Sequence, residues 1–116
     1  GLAIAQEYSK AQNFDATTVT SSSNVLAWDV SANQVTSVTT SETISSITHS
    51  NQVDGGVYIL RIIQGSTGYA VGGWASTFEF ASGATSVSGT NSEHILVFLS
   101  DGTRLLEIGR STNLAA

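Results

Sequence analysis

The chain has 116 residues and a formal net charge of −5 at pH 7, with 11% charged and 41% hydrophobic residues. Its length is that of one domain, and its hydrophobic supply excludes a disordered segment, which combines low hydrophobicity with high net charge. The basic residues Lys10, Arg61, Arg104 and Arg110 are scattered, which argues against a nucleic-acid partner, and no apolar run approaches the ~20 residues of a membrane helix.

Residues 1–12 are the only stretch with helical leanings, through Ala3, Ala5, Gln6, Glu7, Lys10 and Ala11. Ile4 and Tyr8 are four apart and would share a helix face. So short a helix is marginal alone. The segment is expected to be either a docking arm, with Leu2, Ile4 and Tyr8 as its apolar contacts, or a loosely ordered terminus. A β domain is expected over 13–116.

From Phe14 the pattern is strands and turns. Residues 17–20 are a β-branched run, followed by a Ser-Ser-Ser-Asn loop. In 25–30, Leu26, Trp28 and Val30 share one face. Residues 34–40 alternate Val35, Ser37 and Thr39 against Thr36, Val38 and Thr40. Ile44 and Ile47 belong to a further short segment, and Asp54-Gly55-Gly56 is a strong turn.

Residues 57–64 are the most informative strand. Val57, Ile59 and Ile63 lie on one face with Arg61, and Tyr58, Leu60 and Ile62 on the other. A strand apolar on both faces is covered on both, by the core on one side and a subunit or a loop on the other. Arg61 within this run calls for a carboxylate or carbonyl partner. Short strands are expected at 69–71 and 77–80, with a remnant at 86–88. Residues 94–99 are again apolar on both faces. Asp101-Gly102 is the strongest hairpin signal in the chain, with 103–108 as the returning strand and 109–116 as a polar tail. Turn-bounded strands at this spacing indicate a sandwich or barrel.

The chain has 18 Ser and 14 Thr in place of the usual charges. Two explanations fit: a surface covered by neighbours, since interface cores are depleted in charge, or a Ser/Thr-rich β protein solvated by its hydroxyls. No Pro is present to protect edge strands, which subunit packing would also do. With no Cys, disulfides and thiolate metal sites are excluded. The chain opens on Gly1 and contains no Met, as expected either of a mature polypeptide whose initiator has been removed or of a glycine left by a cleaved tag.

Catalytic patterns are missing. His49 and His94 have no second His, Cys or carboxylate cluster at ligand spacing. No nucleophile elbow, P-loop or dinucleotide fingerprint occurs. Asp54 and Asp101 sit in turns, where Asp is expected for backbone reasons, and Asp29 alone is weak evidence for a Ca²⁺ site. No enzyme activity, cofactor or metal is expected.

Four segments follow one another along the chain: Gln12-Asn13-Phe14, then Ala27-Trp28-Asp29-Val30-Ser31-Ala32-Asn33-Gln34-Val35, then Gly55-Gly56-Val57-Tyr58-Ile59-Leu60-Arg61-Ile62-Ile63-Gln64 with Thr67-Gly68. The last is Glu93-His94-Ile95-Leu96-Val97-Phe98-Leu99-Ser100-Asp101-Gly102-Thr103. In order and spacing, over roughly residues 12–110, they resemble a β module of tailed-phage virion proteins, found in tail fibres, head fibres and decoration proteins. The resemblance implies an antiparallel, jelly-roll-like β-sandwich in a homotrimer on the outer surface of the virion. One departure is Gly72-Gly73-Trp74-Ala75, where the family often has a Pro-bearing loop.

Within that family, the short chain, the low charge and the candidate arm at residues 1–12 point to a capsid decoration (cement) protein that stabilises the head, docked on the major capsid protein or another virion protein. The alternatives are a trimeric tail- or head-fibre module that binds a host receptor, with Trp74 as a candidate loop aromatic, and a cellular carbohydrate-binding sandwich. For the trimer, the expected subunit interface is the second face of the two central strands: Tyr58, Leu60, Ile62, Leu96 and Phe98.

Overall fold

The computed structural model describes residues 16–84 and 87–116. The proposed arm with Leu2, Ile4 and Tyr8 lies outside the described residues, which are all-β and contain no helix. The strands are β1 (Ala16–Thr18), β2 (Val25–Asp29), β3 (Val35–Thr39), β4 (Ser46–Ser50), β5 (Val57–Ile63), β6 (Phe78–Glu79), β7 (Ser92–Ser100) and β8 (Leu105–Ala115). Thr, Val and Ile dominate β1, β3 and β5 because branched side chains fit a pleated surface. Burial alternates residue by residue along β5 and along β7 up to Phe98, as successive side chains point to opposite faces.

The strands form a six-stranded sheet, in the order β1-β3-β5-β7-β8-β6, and a two-stranded sheet of β2 and β4. From β1 to β5 the chain alternates between the sheets, winding as a flattened coil. Neighbours within the coil are parallel: β1 beside β3, β3 beside β5, and β2 beside β4. Residues 70–75 continue the smaller sheet. Ile44 and Ile47 bridge in parallel to Val71 and Trp74, and Ile44 N–H donates to the Ala70 carbonyl and Ile47 N–H to that of Gly73, both at 2.9 Å. Only after this coil does the direction reverse, with β7 antiparallel to β5 and β8 antiparallel to β7.

The expected antiparallel jelly roll is therefore corrected to a mixed sheet built on a parallel coil. Parallel neighbours need a crossover connection, and here a strand of the facing sheet supplies it. Turn-bounded short strands have the same sequence pattern whether a turn reverses the chain within one sheet or passes it to the other. Alternation reports which side chains point inward, not which strand lies alongside.

The turns rest on left-handed residues, among them Ser23, Asn24 and Asn51 at φ 52°, 67° and 65°. Glu42 ties two successive turns of the coil, its Oε2 accepting from Ser21 Oγ at 2.9 Å and Asn24 N–H at 3.1 Å. Gly73 has φ 73°, and a Cβ there would collide with the Ser45 carbonyl oxygen. Asp101-Gly102 joins β7 to β8, with Asp101 Oδ1 accepting from the N–H groups of Thr103 at 3.0 Å and Arg104 at 2.6 Å. Residues 109–115, expected as a polar tail, instead extend β8.

The core lies between the sheets and includes Leu26, Trp28, Val38, Ile47, Leu60, Ile62, Leu96, Phe98 and Leu105. Trp28 stacks on Phe78 and meets Phe98 edge-on. Gln64, 1% exposed, is satisfied on all sides. Its Oε1 accepts from Thr40 Oγ1 at 2.5 Å and Tyr69 N–H at 3.1 Å, and its Nε2 donates to the carbonyls of Tyr69 and Val87.

Candidate self-association surface

The residues expected at a subunit interface lie inside the chain's own core. Leu60, Ile62, Leu96 and Phe98 are 0% exposed and Tyr58 is 7% exposed. Packed between the two sheets, they have no surface left for a neighbour, so the assignment of faces is reversed. The sequence signal for this is Arg61. A guanidinium in the odd-numbered set of β5 marks that set as the one reaching water.

The strand registers build the outward face of the large sheet in rows. Val57, Leu99 and Leu106 form one row, and Val35, Ile59 and Val97 the next. Then come Ser37, Arg61 and Ile95, and finally Thr39, Ile63, Glu93 and Leu114. The bulge between Val97 and Phe98 leaves Ile108 without a partner in the ladder, and it is 58% exposed. Most of these side chains are half-buried, and the first two rows, Val57, Leu99 and Leu106 with Val35, Ile59 and Val97, make an aliphatic patch.

One ion pair is set into it. Arg61 Nε donates to Glu93 Oε2 at 2.9 Å and Nη2 to Oε1 at 3.1 Å. The hydrogen bond from Arg61 holds the Glu93 carboxyl below its usual range, and that same bond raises the guanidinium. Together the pair contributes no net charge, so the face is neutral on a chain of −5.

The other singled-out residues make contacts within the chain. Asp29 accepts from Ser31 N–H at 3.0 Å, Ser31 Oγ at 2.6 Å and Asn51 Nδ2 at 3.0 Å, which holds its carboxyl below the usual range. His49 bonds Gln52 Oε1 and Thr77 Oγ1, at 2.9 and 2.6 Å. The Trp74 ring packs edge-on against Phe78 and Phe80, and its buried indole N–H has no hydrogen-bond partner among the described residues. Among the described residues, no group of three or more His, Cys, Asp or Glu side chains is placed to hold a metal ion.

Comparison with protein-family models, curated proteins and solved structures finds no match in any of the three.

Proposed function

We propose that the chain is a non-catalytic structural protein of a tailed-phage particle. It is a homotrimeric decoration protein on the outside of the head, docked on the major capsid protein or another virion protein. The reading is supported by the aliphatic outward face of the large sheet, whose centre is β5 and β7. These are the strands of the two longest segments resembling virion β modules.

Monomers seldom expose contiguous apolar patches of more than a few hundred Å². Three copies turning this face toward a shared axis would cover it and close without leaving a free interface. Arg61 and Glu93 meet the neighbour already paired, so burial strands no lone charge. The fibre reading leaned on Trp74 as a ligand-facing aromatic, but that ring is held by Phe78 and Phe80. Decoration is therefore favoured, and residues 1–12 are the candidate docking arm.

Light scattering of the native protein is expected to give three times 12.0 kDa. Phage heads stripped of decoration proteins are expected to carry it down on sedimentation. A trimer that stays in the supernatant overturns head docking, and a monomer overturns the assembly as well.

A further inference from the structure

The end of β8 is held to β7 by an unusual contact. The ladder from Ser92↔Ala115 to Ile95↔Ser111 contains a bulge between Glu93 and Ile95. At the bulge Asn113 takes a left-handed φ of 59°. Its N–H leaves the ladder and donates to Nδ1 of His94 at 3.3 Å. The other ring nitrogen, Nε2, lies 3.0 Å from Ser92 Oγ, whose hydroxyl donates to the Gly89 carbonyl at 2.7 Å.

These partners leave the ring one protonation state. Ser92 Oγ has given its hydrogen to Gly89, so it accepts from Nε2–H. Nδ1 must be bare to accept from Asn113. His94 is 0% exposed and is held neutral. Ile62 stands opposite it on β5, and Gln64 lies one inward position beyond. Ser92 and Leu96 flank it on its own face, and on β8 the bulge at Thr112 and Asn113 faces it. None of these groups titrates. Further along the same face, Arg110 and Glu107 stand across from Leu96 and Phe98 and are paired with each other, and Arg61 and Glu93 point to the opposite face of the sheet.

We propose that His94 makes the end of β8 an acid-released latch: protonation at Nδ1 ejects Asn113 and frees residues 111–116 from β7. A proton on Nδ1 sets two donors against each other and places a charge on a ring that has no carboxylate partner among the described residues. Turning the ring outward relieves both, at the expense of the last rungs of the ladder. Burial lowers the affinity of His94 for a proton, so the closed form binds fewer protons than the open form. The latch is fully closed above the ordinary histidine value of about 6.5. Below it, the open population rises about tenfold per pH unit until the closed form itself titrates. Release bares the backbone edge of β7 between 92 and 95, and it does so whether or not the protein belongs to a virion.

Amide hydrogen exchange of the intact protein tests the latch, with rates corrected for the intrinsic effect of pH. Between pH 6.5 and 5.5, protection of residues 111–116 is expected to fall about fivefold while that of β3 and β5 holds. His94→Asn, whose amide oxygen accepts from Asn113 without titrating, is expected to remove that dependence. Equal protection at both pH values overturns the latch, as does an unchanged dependence in His94→Asn. If that variant does not fold, ring nitrogen shifts of the wild-type protein decide. An Nε2–H tautomer whose loss tracks the loss of Asn113 protection supports the latch, and a His94 that becomes charged with Asn113 still protected overturns it.

Discussion

Leu60 and Ile59 are adjacent on β5 and point to opposite sides of the sheet, so paired substitutions separate the core from the assembly. Leu60 is 0% exposed, with Thr36 and Leu96 beside it in the ladder. Leu60→Ala deletes three carbons, about 2.4 kcal/mol of transfer free energy at about 0.8 per methylene. The cavity brings the cost to about 3–4 kcal/mol. With a urea dependence of about 1.5–2 kcal/mol per M, the unfolding midpoint drops by about 2 M. Ile59, between Val35 and Val97 on the outward face, behaves differently. In the proposed trimer, Ile59→Glu would set three like charges at the subunit interface and is expected to disperse the assembly while leaving the core intact.

Urea unfolding followed by the fluorescence of buried Trp28, at protein concentrations tenfold apart, reads both effects. For a trimer that unfolds to separate chains, each tenfold in concentration is worth about 0.9 kcal/mol per chain by mass action. Wild type and Leu60→Ala are expected to show that dependence, the latter at a lower midpoint. Ile59→Glu is expected to lose it together with two thirds of its mass. An Ile59→Glu protein that keeps both would refute the outward face as an interface. A Leu60→Ala midpoint within a few tenths of a molar of wild type would refute the division of β5 into two faces.

Other outcomes follow from single sites. Gly73→Ala forces a methyl group onto the Ser45 carbonyl in a left-handed backbone, and is expected to cost about 2–4 kcal/mol in thermal or urea unfolding. The Asp101 carboxyl is lowered to about 2, first by the Arg104 N–H and next by that of Thr103. Because its folded value lies below the unfolded one, its contribution is present above about pH 4 and is lost as pH falls toward 2. Asp101→Asn is expected to flatten the acid limb of a thermal-stability profile over that window, and an unaltered limb would dismiss the turn as its source.

Strand positions and the alternation along them were legible because they follow from local chemistry, but which face of β5 and β7 turns inward was not. The alternation of β5 and the Asp101-Gly102 hairpin reappear in the structure, and of the carboxylate or carbonyl partner expected for Arg61 the structure has the carboxylate of Glu93. Strand direction was not legible, because no residue in the turns between β2 and β3 or between β4 and β5 records which sheet receives the next strand. The outward role of Ile59 and Val97 was hidden for a related reason. Both faces of their strands are aliphatic, and only Arg61 breaks the tie. The extension of β8 was masked by Ser111, Thr112 and Asn113, whose ladder depends on a histidine nineteen positions earlier.

The coil has a consequence for how such a chain can change length. Each full circuit lays one strand on each sheet, so inserting or removing a whole circuit returns the following strands to their own sheet with the same side chains inward. Losing half a circuit, one strand and one turn, would send every later strand across to the facing sheet. Permissible length variants are therefore quantised in pairs of strands, and single-strand deletions are expected to be missing among viable descendants of this sequence.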